Sequence, residues 1–170
     1  MVRSWEEHDA GSLARYANNR NVWINVRDTF PFPYTGADAR AYLASVCGAS
    51  PETHFAVATG GEAIGGIGFQ MQADVYRLSA ELGYWLGEPF WGKGIASCAV
   101  EKVLAYAFGE FPLSRMFAGV FEWNPASSRV LEKAGFTLEG RFRKCVYKNG
   151  QVIDQLMYGM TAEEFRRRGA

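Results

Sequence analysis

The stretch Glu81-Leu82-Gly83-Tyr84-Trp85-Leu86-Gly87-Glu88-Pro89-Phe90-Trp91-Gly92-Lys93-Gly94-Ile95-Ala96 decides the reading of this chain. It runs from a strand through a glycine-rich turn into the first turn of a long apolar helix. That order leaves unpaired backbone N–H groups at a helix N-terminus, where the open donors and the helix dipole both favour an anion. Glycines at 92 and 94 allow close approach to the main chain. A phosphate-bearing ligand is expected here.

Two phosphate motifs come close and fail. Gly87-x-x-x-x-Gly92-Lys93 follows the P-loop pattern until its last position, where Gly94 replaces the Ser or Thr that would ligate Mg²⁺. Gly92-x-Gly94-x-x-Ser97 lacks the third glycine of a dinucleotide fingerprint. The strands before it also read as hairpins and not as a parallel series.

Outward from this stretch the chain reads as one domain over residues 1–170. Val2 to Trp5 is a short strand, and Asp9 caps a helix running to about Asn18. A short helical segment covers Val22 to Arg27, and Thr35 caps a helix from about Ala37 to Cys47. His54–Thr59 and Ala63–Met71 flank Gly60-Gly61, a hairpin signal, and Gly65, Gly66 and Gly68 mark close backbone approach or a bulge. Ser79–Leu86 is a strand, and a helix follows from Gly94 to Phe108. Lys93, Ser97 and Glu101, one turn apart, define a narrow outer stripe on it. Arg115–Phe121 is the next strand, so the strand–helix–strand unit predicts a parallel pair. Asn124-Pro125 opens a helix ending at Ala134, with Gly135 as its stop. Phe136–Lys148 and Gln151–Met160 form a hairpin about Asn149-Gly150. The sum is an α+β fold: a mixed, mostly antiparallel twisted sheet, helices on both faces, and one central parallel β-α-β crossover.

Composition narrows the function classes. Hydrophobic residues at 48% and charged residues at 21% suit a globular chain. Eighteen basic residues balance eighteen acidic ones, which argues against nucleic acid as partner. Arg166-Arg167-Arg168 reads as a solvated tail. Cys47, Cys98 and Cys145, odd in number and without CxxC spacing, point to a reducing, cytoplasmic setting. His8 and His54 complete no zinc pattern with them, so no metal is expected. No apolar run is long enough to span a bilayer, so no membrane association is expected. A homodimer is compatible with the sequence, which does not specify it.

Trp91-Gly92-Lys93-Gly94-Ile95-Ala96 resembles the pyrophosphate loop, Arg/Gln-x-x-Gly-x-Gly/Ala, of the GNAT superfamily of acetyl-CoA-dependent N-acetyltransferases. The first position departs, with Trp91 for Arg or Gln. Tyr84-Trp85-Leu86 ahead of Trp91–Ala96 is similar to the branch of ribosomal-protein N-terminal and spermidine-type acetyltransferases. So are Asn124–Phe136, an Asn-x-x-Ser helix ending in Gly-Phe, and Phe32-Pro33-Tyr34-Thr35 before a helix.

The resemblance implies acetyl-CoA as cosubstrate and an amine acceptor, either a protein N-terminus or a small molecule. It implies that the pyrophosphate sits on amides from Trp91 to Ser97 (Gly92, Lys93, Gly94 and Ala96 among them), with Lys93 adding charge or lying along the surface. It implies that the pantetheine arm pairs with backbone near Trp85 and Leu86, with Asn124 binding it or simply capping its helix. A bulge in that strand would splay it from Arg115–Phe121 and open a slot.

A protonated amine needs a base. Glu81 is the candidate, against a purely positioning role, pairing with Arg77 or Arg143, the rival carboxylate Asp154, or a relay through water. The tyrosine that serves many members as acid maps to Leu131 and cannot be carried over. Ser127 takes the role in this branch, against a plain helix-terminal role. Trp23, Phe30, Phe32 and Tyr34 border the acceptor by analogy, or belong to the core. A non-catalytic acyl-CoA-binding regulatory module on the same fold is the rival reading.

Overall fold

The structure, a computed structural model, describes residues 1–168. These group into two compact units, Met1–Gly68 with Tyr84–Ala99, and Phe69–Gly83 with the described residues from Val100 onward.

The first unit begins with β1 (Val2–Arg3), antiparallel to β2 (His54–Thr59), which pairs in turn with β3 (Glu62–Met71). Helices α1 (Ala10–Ala17), α2 (Arg20–Trp23) and α3 (Gly36–Val46) lie between β1 and β2 in the chain. Thr35 caps α3 as expected, its hydroxyl accepting from Asp38 N at 3.2 Å. Asp9 stands at the start of α1 but does not cap it. Its buried carboxylate instead takes both Arg3 guanidinium arms at 2.7 Å and Glu6 N at 3.0 Å. A buried charge needs a partner more than the helix needs that cap. Helix α2 is shorter and earlier than predicted, because the Asn19 side chain accepts from Asn21 N and Val22 N and starts it there. Leu13, Ala17, Tyr34, Ala39 and Leu43 close a core with Trp5, Ala56 and Ala63. Burial of Leu13 and of Leu43 contributes about 1.5–3 kcal/mol each.

Of the two readings for the β3 glycines, close approach holds at Gly65 and Gly68, and the β2–β3 register also shifts where Val57 faces Gly65 and Ala58 faces Ala63. A Cβ on Gly65 would lie 2.4 Å from Trp85 O, and one on Gly68 would lie 2.6 Å from Thr53 O.

In the second unit β4 (Ser79–Leu86) enters and pairs in parallel with β5 (Arg115–Phe121). Strand β5 is antiparallel to β7 (Gln151–Thr161), and β7 to β6 (Thr137–Lys148). The strand order is β1-β2-β3-β4-β5-β7-β6, with β3 and β4 each running through both units. This is the predicted α+β architecture, mostly antiparallel with one parallel pair. Helix α4 (Ile95–Glu110) makes the crossover, and α5 (Pro125–Lys133) follows β5.

Two details of the sequence reading change. The exposed face of α4 is broader than predicted: Cys98, Glu101, Lys102, Ala105 and Gly109 are on it, while Ser97 is half-buried. The arginine run is solvated but helical, closing α6 (Ala162–Arg168). Arg167 pairs with Glu163, and Arg168 donates to the carbonyls of Lys133 and Ala134, the open acceptors ending α5.

Candidate active site

In the first unit, the chain leaves β4 through Gly87, whose N–H donates to Ile64 O at 2.8 Å. Tyr16 packs there, since a Cβ on Gly87 would meet its ring at 3.1 Å. Its ring also meets Phe90 edge-on at 5.2 Å. A 3-10 turn, Glu88–Phe90, carries the chain to Trp91. Gly92 and Gly94 both adopt left-handed backbone, φ 73 and 75, which glycine accepts without strain. The first bond into α4 runs from Cys98 N to Gly94 O at 3.1 Å. By helix geometry the amides of Ile95, Ala96 and Ser97 therefore open α4 as its orphan donors. Donors, dipole and glycine access together can hold a phosphate.

The departing residue Trp91 has a defined contact. Its indole N–H donates to Leu86 O at 2.6 Å, so the first loop position is tied to the end of β4. Lys93 folds back: its ammonium donates to Pro89 O at 2.9 Å and lies 5.6 Å from the Phe90 ring centre. Of the two readings for Lys93, this conformation is the one along the surface.

The aromatic segment splits in two. Phe30 packs on Tyr34 at 4.8 Å and on Trp85 at 5.5 Å. Tyr34 is buried in the core, and burial, reinforced by the charge of Asp38, pushes its phenol up to about 12. It stays protonated at neutral pH. Trp23 stacks on Phe32 at 5.6 Å, and Phe32 is exposed. Sequence reasoning missed Glu88, whose carboxylate accepts from Asn19 Nδ2 at 2.7 Å and Asn21 Nδ2 at 2.9 Å. No local pattern announces a pairing across such a sequence separation.

In the second unit, Glu81 lies at the end of the parallel ladder, opposite Phe117. Strand β5 continues to Phe121, paired with β7 along its length. Asn124 caps α5, its Oδ1 accepting from Ser127 N at 3.2 Å. Ser127 is half-buried in the first turn, and Leu131 is fully buried.

Asp154 is buried and committed. It accepts from Lys144 N at 2.9 Å and Arg141 Nε at 2.5 Å, while its own N–H donates to Glu122. The Lys144 amide and the Arg141 guanidinium hold its carboxyl at about 2. A group that acidic is a poor proton acceptor near neutrality. Among the described residues no group of three or more His, Cys, Asp or Glu is placed to hold a metal ion. Nor is any helix among them long and apolar enough to cross a membrane.

Fold and loop together define an acetyltransferase of the GNAT class. The family model for the acetyltransferase (GNAT) domain matches residues 1–137, and the chain belongs to that family. It is similar to the uncharacterized N-acetyltransferase p20 of Bacillus licheniformis, 32% identical over 170 residues, 96% of this chain and 93% of that protein. It is 42% identical over 99 residues to the uncharacterized N-acetyltransferase YoaA of Bacillus subtilis, covering 58% of this chain and 55% of that relative. The ribosomal-protein-serine acetyltransferase of Escherichia coli matches at 32% over 97 residues, 57% of this chain and 54% of that protein. The chain thus spans about half the length of these last two relatives. Among solved structures, the spermidine N-acetyltransferase of Vibrio cholerae in complex with CoA and spermine superposes with a TM-score of 0.81. It covers 98% of this chain and 97% of that one at 22% identity, a likeness of fold.

Proposed function

We propose that this chain transfers the acetyl group of acetyl-CoA to a primary amine, at a protein N-terminus or on a small molecule, by direct attack in a ternary complex. The observation that carries the reading is the left-handed Gly92 and Gly94 turn opening α4, directly after β4. Residues 1–170 serve as one N-acetyltransferase domain in this reading, since the family match takes in the first unit and reaches residue 137 of the second. A GNAT relative in fold holds CoA, which supports the cosubstrate.

The pyrophosphate takes the amides around Gly92 to Ser97. Pantetheine pairs with backbone near Trp85 and Leu86, and Asn124 binds it in addition to capping its helix. Glu81 takes the proton of the incoming ammonium, directly or through water. The free amine then attacks the thioester carbonyl carbon, the C–N bond forms, and the C–S bond breaks. The nitrogen's surplus proton passes to water, and Ser127 relays a proton from water to the departing thiolate, leaving an amide, a free CoA thiol and the serine hydroxyl restored. The low pKa of Asp154 and its bonds to Arg141 and the Lys144 amide favour Glu81 over it as base. Trp23, Phe30 and Tyr34 border the acceptor; the packing of Phe30 on Tyr34 is compatible with this. Free thiols at Cys47, Cys98 and Cys145 suit a cytoplasmic address. Light scattering reads whether two copies pair.

The rival, an acyl-CoA-binding module without turnover, draws support from Leu131, a buried aliphatic where many superfamily members carry an acidic tyrosine. Thiol release from acetyl-CoA, followed across a panel of amines and N-terminal peptides, separates the two. Release dependent on an amine supports transfer. CoA binding with no release on any acceptor supports the module, and no CoA binding overturns both.

A further inference from the structure

We infer that Glu88 is a positioning residue that makes the order of the acceptor-side segment depend on the occupied CoA loop. This rests on the reading of Trp91 to Ser97 as the pyrophosphate site.

Glu88 acts in two directions. Its backbone carbonyl accepts from Trp91 N at 3.1 Å, and Trp91 in turn holds Leu86 O, so the residue belongs to the frame of the loop. Its carboxylate reaches back to Asn19 and Asn21, one oxygen to each side-chain amide. Asn19 is already the cap of α2, with Oδ1 accepting from Asn21 N at 2.7 Å and Val22 N at 3.2 Å. Its amide is thus fully oriented: the oxygen starts α2 and the nitrogen holds Glu88. Helix α2 is a single turn of four residues ending at Trp23, whose ring stacks on Phe32. A helix of that length has no stability of its own and keeps its shape through tertiary ties. Hydrogen bonds to an ionised carboxylate are the stronger kind of such tie. Buried Val22 already anchors α2, and a ligand that stills the loop adds to that hold, and to the order of the Trp23–Phe32 pair, through the Glu88 side chain.

The test is amide hydrogen exchange of the full chain with and without saturating CoA. Expected in the wild type is slowed exchange both at residues 95–98 and at the α2 amides of Val22, Trp23 and Ile24. The α2 slowing should reach at least about fivefold, the lower end of ordinary couplings between sites. In Glu88→Ala, protection at 95–98 persists and the α2 protection is lost. Asn21→Ala, which removes one exposed arm, should lower the α2 protection partway and covers the case in which Glu88→Ala fails to fold. Protection confined to 95–98 in the wild type overturns the coupling. So does α2 protection unchanged in a folded Glu88→Ala or, where that variant does not fold, in Asn21→Ala. Absence of protection at 95–98 in the wild type instead overturns the CoA reading on which the coupling rests.

Discussion

The indole N–H of Trp91 donates to the carbonyl of Leu86 at 2.6 Å, joining the first position of the phosphate loop to the last residue of β4. A family position usually filled by Arg or Gln is here a neutral donor spent on the loop's own frame. Trp91→Phe keeps a ring and removes the donor. A lone hydrogen bond is worth about 0.5–1.5 kcal/mol net, so CoA should bind roughly two- to tenfold more weakly. Titration calorimetry reads this, and unchanged affinity would show that the tie is irrelevant to the ligand.

Gly94 tests the same loop from the backbone. A Cβ there meets nothing within 4 Å, so crowding is no obstacle, but φ is 75. Left-handed backbone costs an ordinary residue about 1–2 kcal/mol. Gly94→Ala should lower the thermal midpoint modestly and weaken CoA binding by more than stability alone explains, because the amide at the helix start is re-aimed. Equal binding by the variant and the wild type would remove the loop from the phosphate site.

Glu81→Gln and Ser127→Ala address the chemistry. Positioned acids and bases contribute about 10²–10⁴-fold. Each variant should therefore lose at least about a hundredfold in kcat, with the Kd for CoA nearly unchanged. Glu81→Gln should regain rate as pH rises toward the amine's own pKa, since free amine then forms without help. Full turnover by both variants would remove these assignments.

Asp154 governs acid behaviour. Its carboxyl is held at about 2 in the folded chain, below the ordinary 3.8, by the Lys144 amide and Arg141. A depressed folded pKa gives stability that is complete above the unfolded value and is lost as pH falls toward the folded one. The contribution fades between about pH 4 and pH 2. Asp154→Asn should melt earlier at pH 7 and show a flatter acid limb across that window. Parallel melting curves for the two proteins would refute this.

Gly65 tests the packing behind the site. A Cβ at this position would lie 2.4 Å from Trp85 O and 2.9 Å from Leu86 Cα, both backbone, so neither can rotate away. Overpacking of this kind costs about 1–3 kcal/mol. Gly65→Ala should lower the thermal midpoint and loosen the end of β4, and a midpoint unchanged within error would contradict the contact.

Local patterns alone identified most elements. Strand β4, strand β5, the Thr35 cap, the Asn124 cap and the hairpins at Gly60-Gly61 and Asn149-Gly150 depend on neighbouring residues, and neighbours are what a sequence displays. The glycine loop was legible for the same reason: positive φ at 92 and 94 is a local demand that selects glycine. Tertiary structure decided which groups those elements would spend on one another. Asp9 reads as a cap, but Arg3 claims its carboxylate; Arg168 reads as tail, yet it closes α5. Trp91 holds Leu86 O, and Asn19 and Asn21 hold Glu88. A backbone turn is dictated within a few residues. A long side chain with several donors or acceptors takes whichever partner the completed fold brings within reach, and the sequence does not order those partners in space.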